Sequence, residues 1–253
     1  MSGIGLWHAD LERVLETRTL ADVAQLFDEY GLRHLELEFL GDWFLEPDDE
    51  RRRASDKLRA LLFEAAAALP AHHIKVGNLV GTECPLPQIV ERYGELCADA
   101  ARYTDAKIVY EFMPYDAQVN DLETALEVAE GADAPNGGLA FDTWHLGKLR
   151  LEPDELRRVA PRFVSWVELS DGPYEYAEDR LDEVINRRQL PGEGEFPVAE
   201  YVAVFRELGY DGPWGIEVLS EELRSLPVEQ IFERAYEAAS AQLAVSRERS
   251  LGV

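Results

Sequence analysis

The sequence predicts an α/β barrel of parallel strands, and three observations support this. Apolar runs typical of buried strands alternate with amphipathic helical stretches along the chain, which favours a parallel sheet covered by helices. The 253 residues show no low-complexity linker and no break in composition, so we expect one domain over residues 1–253. Four of the apolar runs end on an acidic residue, as expected for a barrel whose active site lies at the carboxyl ends of its strands.

The number of predicted strands is one short of the eight that a (β/α)8 barrel requires. The predicted strands are 4–7 (the weakest), 35–39, 73–77, 107–112, 138–142, 163–169 and 214–218. The predicted helices are 20–31, 48–69, 87–103, 121–129, 153–159, 198–208 and 228–243. An eighth strand could lie around Trp43-Phe44-Leu45 or between Leu169 and Val198. We therefore predict a (β/α)8 fold with one irregular or missing βα unit.

Composition argues against several classes of partner. The chain has 50 acidic and 25 basic residues, and a net charge of −25. Nucleic-acid binding depends on Lys and Arg that neutralise phosphates, so DNA, RNA and anionic lipid are not expected partners, although solubility alone would also explain the charge. No apolar run is long enough to cross a membrane, and Met1–Asp10 lacks a secretory signal. We therefore expect a cytoplasmic protein whose cysteines, Cys84 and Cys97, are reduced.

Four acidic residues stand at the carboxyl ends of predicted strands: Glu111, Asp142, Glu168 and Glu217. In a parallel barrel these ends meet at one face, so we expect the four carboxylates to converge. Carboxylates that lie close together repel one another, and they either take up protons or recruit a cation. Oxygen ligands suit a hard divalent ion such as Mg²⁺, Mn²⁺ or Co²⁺. Considered singly, Asp142 could instead be a helix N-cap, and each glutamate could be a surface charge.

Three further residues are candidates for proton transfer or for contacts with a substrate. His145 follows Asp142 by three positions and could bind substrate or carry a proton; the alternative is a core histidine. Lys75 lies within an apolar strand and could serve as a charge partner or an acid beside the carboxylates; the alternative is a side chain that points outward. Glu36 and Glu38 share one face of their strand, so either could line the pocket.

An arginine and a tryptophan complete the set of candidates. Arg188 precedes the turn Leu190-Pro191-Gly192-Glu193-Gly194, from which it could reach a substrate hydroxyl or carbonyl. The alternative is a plain surface turn with solvated arginines. Trp144, like other tryptophans near the strand ends, could stack on a sugar ring, or could simply belong to the core.

Six short motifs occur in order along the chain: Ile-Lys-Val-Gly at 74–77, Tyr-Glu-Phe at 110–112, Phe-Asp-Thr-Trp-His at 141–145, Val-Glu-Leu-Ser-Asp at 167–171, Leu-Pro-Gly-Glu-Gly at 190–194 and Gly-Ile-Glu-Val at 215–218. Together they resemble the sugar phosphate isomerase/epimerase superfamily. This is the group of xylose isomerase-like TIM barrels that also contains the AP endonuclease 2 family, inosose dehydratases and ketose 3-epimerases. The resemblance extends from about Thr19 to the end of the chain.

The resemblance implies a divalent metal ion held from four strands. Its position-by-position match gives Glu111, Asp142 and Glu217 as ligands, and it implies that His145 and Arg188 contact substrate. The third ligand departs from the family pattern, because Glu168 stands where the family usually has histidine. Glutamate can bind through oxygen and favours Mn, Mg or Co over Zn.

The chemistry expected of such a site is proton transfer beside a carbonyl group, through an enediolate. We predict an isomerase, epimerase or dehydratase of a keto-sugar or polyol, in which Glu111 and Glu217 act as base and acid. The substrate is then a small molecule, and the resemblance leaves room for a homodimer. One alternative is a non-catalytic or accessory barrel with an altered metal site, for which Glu168 is the sign. The other is an AP endonuclease-like DNA repair enzyme, which the negative charge and the five histidines oppose.

Overall fold

The computed structural model describes residues 1–250, and the side chains of residues 1–246. The strands are β1 Gly3–Trp7, β2 His34–Leu40, β3 Ala71–Val76, β4 Lys107–Glu111, β5 Gly137–Asp142, β6 Val164–Leu169 and β7 Trp214–Ile216. The helices are α1 His8–Leu15, α2 Leu20–Tyr30, α3 Glu50–Ala68, α4 Leu86–Ala100, α5 Leu122–Ala132, α6 Thr143–Lys148, α7 Arg180–Asn186, α8 Val198–Glu207, α9 Glu221–Arg224 and α10 Val228–Ser250. Two 3₁₀ helices, Pro153–Arg158 and Pro161–Phe163, precede β6. The chain divides into two units, residues 1–139 and the residues from Ala140 onward.

The first unit is built on a parallel sheet with its strands in chain order. β1 pairs with β2, β2 with β3 and β3 with β4, and the first half of β5 follows. The register places Glu36 of β2 opposite His73 of β3. Because side chains alternate along a strand, Glu36 and Glu38 share one face of β2, and His73 and Lys75 share one face of β3. These four polar side chains are buried in the first unit.

Tyr93 of α4 fixes the helix to the sheet in the first unit. Its hydroxyl lies 2.6 Å from the carbonyl oxygen of Ile108 and 2.8 Å from that of Gly138, and it accepts a hydrogen bond from the Gly138 amide at 2.9 Å. A buried hydroxyl is costly unless it is hydrogen-bonded. These contacts therefore hold β4 in position, and with it the acidic residue Glu111 at its end.

In the second unit, the strand order is β5, β6, β7. Glu168 of β6 is in register with Gly215 of β7. A Cβ atom at Gly215 would lie 2.9 Å from Cγ of Glu168, a distance at which one of the two must shift. The glycine therefore leaves the space in which the Glu168 side chain lies. The hydroxyl of Thr143 donates to the Ser170 carbonyl at 2.6 Å and accepts from the Ser170 amide at 2.8 Å, which joins the start of α6 to the end of β6.

Neither segment proposed for an eighth strand contains a strand in the described residues. Trp43 and Phe44 lie in a turn and are buried in the core. The segment 169–198 holds α7 and two isolated bridges, one between Asp171 and Gln189. Two predicted elements also differ from the structure. The helix predicted at 153–159 is a 3₁₀ helix, and the strand predicted at 214–218 ends before Glu217. The unit that the sequence predicted to be irregular or missing is therefore absent as a regular strand from the described chain.

Candidate metal centre

Three of the predicted ligands lie together in the second unit. Asp142 is the last residue of β5, Glu168 lies in β6, and Glu217 follows β7. One carboxylate oxygen from each of the three lies within 4.8 Å of the others. Asp142 and Glu168 are buried, whereas the side chain of Glu217 keeps 18% of its exposure. The strand ends thus bring three acids together, with Glu217 the most accessible to a ligand.

Asp142 has two roles, because each of its oxygens makes different contacts. Its Oδ1 accepts hydrogen bonds from the Trp144 amide and from the Ser170 hydroxyl, both at 2.9 Å, so Asp142 is the N-cap of α6. Its Oδ2 lies 2.6 Å from Nη1 of Arg188 and 3.6 Å from Nε2 of His145. Burial raises the pKa of Asp142, but the charges of Arg188 and His145 and the two hydrogen bonds outweigh it, and the pKa is lowered. Asp142 is therefore ionised at neutral pH.

Arg188 joins two of these acids. Its Nη1 donates to Oδ2 of Asp142 at 2.6 Å and to Oε2 of Glu217 at 2.9 Å. Its Nε donates to the carbonyl oxygen of Val184 in α7 at 3.3 Å, and its backbone amide donates to Leu219 at 3.1 Å. The guanidinium is buried. Arg188 therefore lies against the carboxylates of Asp142 and Glu217, next to the predicted turn at 190–194.

The first turn of α6 brings Trp144 and His145 next to Asp142. Both residues are buried. The guanidinium carbon of Arg188 lies 5.0 Å from the Trp144 ring centroid, a distance typical of a cation–π contact. His145 stacks edge-on against Trp144, with 5.3 Å between the ring centroids. The Trp144 ring therefore supports the Arg188 guanidinium.

Asp171, the last residue of the motif Val-Glu-Leu-Ser-Asp, organises the turn beside Arg188. Its carboxylate accepts hydrogen bonds from the amides of Gly172, Gly192 and Phe196 at 2.8–3.0 Å. A Cβ atom at Gly194 would lie 2.2 Å from Oδ1 of Asp171, so only glycine fits there. Burial raises the pKa of Asp171, although these amides act in the opposite direction. No local sequence pattern signals these contacts, since the turn lies about 20 residues from the aspartate.

A second charged cluster lies in the first unit, around Lys75. The Lys75 ammonium lies 3.0 Å from Oε1 of Glu36, 3.0 Å from Oε2 of Glu38 and 4.0 Å from Oε2 of Glu111. The lysine is completely buried. A buried ammonium requires partners of opposite charge, and the glutamates supply them. The structure thus brings four residues that the sequence offered as candidates around one ammonium: Glu36, Glu38, Lys75 and Glu111.

His73 extends this cluster below Glu36. Its Nε2 lies 3.0 Å from Oε1 of Glu36 and its Nδ1 lies 3.0 Å from Nδ1 of His72. Burial lowers the pKa of His73, although Glu36 acts in the opposite direction, and a neutral ring facing a carboxylate donates from Nε2. Burial raises the pKa of Glu36, but Lys75 and His73 bring it down to about 2. Glu36 is therefore a carboxylate at any physiological pH.

A cleft of about 860 Å³ opens in the first unit at the carboxyl ends of β1 to β3. Its lining includes the apolar residues Phe39, Leu58 and Leu61 and the basic residues Arg51 and Lys57. Small-molecule sites are commonly concave and largely apolar, with a few polar groups. The cleft is large enough for a sugar-sized ligand.

The donor set of the second unit fits a hard divalent cation. Oxygen ligands at about 2.0–2.3 Å from one ion lie at most about 4–5 Å from each other, and the three carboxylate oxygens meet this limit. Three carboxylates and one guanidinium leave the group with an excess of negative charge. Buried excess charge of this kind favours a bound cation. Asp142, Glu168 and Glu217 can therefore hold a metal ion.

Comparisons with known proteins agree on the fold. Residues 1–242 match the family model described as xylose isomerase-like TIM barrel. The chain is 31% identical to 3-dehydroshikimate dehydratase of Pseudomonas aeruginosa over 130 residues, which is 51% of this chain and 20% of that protein. It is 22% identical to inosose isomerase of Bacillus velezensis, over 91% of this chain and 83% of that protein. The solved structure of the IolI protein with a bound zinc atom superimposes with a TM-score of 0.82 at 18% identity, over 96% of this chain and 88% of that one.

These matches confirm the predicted fold class and the predicted family resemblance. The segment matched in the dehydratase is about a fifth of that protein's length, so the activity of the whole dehydratase does not transfer by similarity. Among the described residues, no helix has the length and hydrophobicity needed to span a membrane.

Proposed function

Because the chain belongs to the xylose isomerase-like TIM barrel family, we propose that it is a divalent-metal-dependent isomerase, epimerase or dehydratase of a keto-sugar or polyol. The reaction proceeds through an enediolate. The observation that carries this proposal is the group of three carboxylates, Asp142, Glu168 and Glu217, whose oxygens lie within 4.8 Å of one another. Such a group is electrostatically costly without a cation, and it has the oxygen donors that Mn²⁺, Mg²⁺ and Co²⁺ prefer.

Glu111 is proposed as the fourth ligand. It ends β4, the strand that precedes β5 in the chain, as Asp142 ends β5. In a TIM barrel the carboxyl ends of all strands open on the same face, which supports a shared site. Its side chain is buried next to Lys75. The zinc of the IolI structure belongs to that protein, and with Glu168 in the set we favour Mn, Mg or Co over Zn here.

The proton transfers are assigned to the protein's own carboxylates. A bound divalent ion would polarise the substrate carbonyl and stabilise the enediolate. Glu217 removes the proton from the carbon beside the carbonyl; Arg188, 2.9 Å from Oε2, favours the ionised carboxylate that a base requires. Glu111 returns a proton to the substrate, with Lys75 beside it as the charge partner. His145 and Arg188 bind and orient the substrate oxygens.

The same two carboxylates can give three outcomes. Protonation of the same carbon on the opposite face gives epimerisation, and protonation of the neighbouring carbon gives isomerisation. Loss of a hydroxyl group, protonated by the acid, gives dehydration. The names of the relatives, an inosose isomerase and a 3-dehydroshikimate dehydratase, support cyclic polyhydroxy ketones as the first substrates to test. Glu36 and Trp144 are also proposed as contacts of the substrate's ring.

Exchange of substrate protons with solvent tests the proposal. The protein is loaded with Mn²⁺, exchanged to Mg²⁺ for detection, and incubated in D₂O with inososes, 3-dehydroshikimate and ketohexoses, while deuterium uptake and products are followed by NMR. We expect exchange or turnover of at least one compound, and we expect Glu217→Gln to abolish it without unfolding the protein. Glu221→Gln, at an exposed position of α9, is the control.

Two results would count against the proposed function. If Glu217→Gln retains full activity, Glu217 is not the base. If no compound exchanges although the metal-loaded protein is folded, the non-catalytic accessory barrel, with Glu168 as the altered ligand, takes first place.

A further inference from the structure

Lys148 is a buried cation that the proposed chemistry does not use. It is the last residue of α6, and its side chain is completely buried. Its ammonium donates to the carbonyl oxygen of Pro173 at 2.7 Å, to that of Glu175 at 3.0 Å and to Oε1 of Glu183. These contacts use the three N–H groups of an ammonium. Lys148 therefore has no donor left for a substrate, and its role lies in holding other residues.

Glu183, in α7, completes the other half of this ion pair. Its second oxygen, Oε2, accepts a hydrogen bond from the Ala177 amide at 2.7 Å. Through Lys148 and Glu183, the segment 173–177 and helix α7 are both fixed to α6. Replacing such a pair by apolar residues is often neutral or stabilising, so a gain in stability is a weak explanation for it. A defined geometry is the better explanation.

Helix α7 in turn positions Arg188. The Nε of Arg188 donates to the carbonyl oxygen of Val184, the residue after Glu183. The Lys148 ammonium also lies 5.2 Å from the centroid of the Trp144 ring, the same ring that packs against Arg188 at 5.0 Å. Two independent connections therefore run from Lys148 to Arg188, one through α7 and one through Trp144. A shift of either would displace the guanidinium from Asp142 and Glu217.

We propose that the buried Lys148–Glu183 ion pair is a positioning device that fixes the Arg188 guanidinium between Asp142 and Glu217. Lys148 and Glu183 are positioning residues, because they act on Arg188 through α7 and Trp144 and are not among the proposed metal ligands. The consequence for catalysis rests on the proposed function; the consequence for the position of Arg188 does not.

Crystal structures test the positioning directly. Lys148→Met leaves the Glu183 carboxylate buried without its cation, so it is paired with Lys148→Met/Glu183→Leu, which removes both charges and is expected to fold. We expect Nη1 of Arg188 to leave hydrogen-bond distance of Asp142 or Glu217 in both variants. Arg150→Met is the matched control, because Arg150 lies over Tyr174 and pairs with Glu175 in the same segment but is exposed. Arg188 should keep its place in that control.

A double-mutant comparison then separates positioning from general stability. If Lys148 acts through Arg188, Lys148→Met lowers turnover about 10- to 100-fold, as loss of supporting partners does elsewhere, and Lys148→Met/Arg188→Met is no slower than Arg188→Met alone. An Arg188 that stays in place in the crystal structures, or losses of activity that multiply in the double variant, would overturn the proposal. If the wild-type protein turns over no substrate, the proposed function fails, while the crystal structures still decide the role of the ion pair.

Discussion

Nη1 of Arg188 lies 2.6 Å from Oδ2 of Asp142, and both side chains are buried. The same nitrogen lies 2.9 Å from Oε2 of Glu217. A single guanidinium thus compensates part of the negative charge of the carboxylate group, and it holds Asp142 in the ionised form that a metal ligand requires. Burial makes the attraction between the two charges stronger than in a surface ion pair, although desolvation of both groups opposes it.

The Arg188 contact predicts a pH effect on metal binding. Arg188 contributes to the lowered pKa of Asp142, so Arg188→Met should raise that pKa. Protonated carboxyl groups do not bind metal; Mn²⁺ binding should therefore fail at a higher pH on acidification in Arg188→Met than in the wild type. Calorimetric titration with Mn²⁺ between about pH 4 and about pH 7, which extends upward from the usual carboxyl range, measures this shift. An unchanged acidic limit would show that Arg188 does not control Asp142.

Arg188→Lys distinguishes charge from geometry. Lysine keeps the positive charge but lacks the planar fork that contacts Asp142, Glu217 and Val184 together. We expect the acidic limit of Mn²⁺ binding to be largely restored in Arg188→Lys, while turnover stays about 10-fold or more below wild type. Full recovery of turnover by lysine would mean that charge alone is sufficient.

Asp171 predicts a local effect on the turn beside the site. Asp171→Asn exchanges one carboxylate oxygen for an NH₂ group, which cannot accept from the backbone amides of Gly192 or Phe196. Leaving one buried donor unpaired costs about 1–3 kcal/mol, so we expect the free energy of unfolding in urea to fall by about that amount. Hydrogen exchange of the amides in 190–196 should accelerate. Asp211→Asn, at an exposed position, should show neither change.

Glu36 predicts how stability depends on acid. Its pKa, about 2 in the folded protein, lies below the usual value of about 4.3 in an unfolded chain. The group therefore stabilises the folded state fully above about pH 4.3, and this contribution, on the order of 3 kcal/mol, is lost as the pH falls toward 2. We expect Glu36→Gln to be less stable at neutral pH and to show a smaller loss of stability over this range.

Urea unfolding at a series of pH values measures the effect. The control Glu64→Gln, at an exposed position of α3, should keep the wild-type dependence. If Glu36→Gln loses stability with acid as steeply as the wild type, then Glu36 does not contribute as described.

The strand ends of the site could be predicted from the sequence, because each acid follows an apolar run and the carboxyl ends of parallel strands share one edge. Asp142, Glu168 and Glu217 are brought together as that pattern predicts. The period-two alternation of β2 likewise predicts that Glu36 and Glu38 share a face, where both contact Lys75. These residues lie in or next to regular strands, whose periodic pattern is visible in the sequence.

Other contacts of the site are made by irregular segments of the chain. The contacts of Asp171 with the turn at 192–196 and of Lys148 with Pro173 and Glu175 are set by the path of a loop, for which sequence periodicity gives no information. The burial of Glu183 could not be predicted either, because an acid in a short helix is usually a surface charge and its buried partner, Lys148, is distant in the sequence. Between Leu169 and Val198 the described chain has no regular strand, and the hydrogen bonds of Asp171 to the amides of Gly172, Gly192 and Phe196 are among the contacts that hold this segment.

The amount of metal bound per chain tests the proposed carboxylate metal site. Protein purified without chelator, and again after incubation with Mn²⁺ and gel filtration, is analysed for Mg, Mn, Co and Zn beside Glu111→Ala/Glu217→Ala and the exposed control Glu64→Ala. We predict about one divalent ion per chain in the wild type and the control, as one open site requires, and loss of that ion in the double variant. No ion in the wild type after incubation with Mn²⁺, or equal content in the double variant, would contradict the carboxylate metal site.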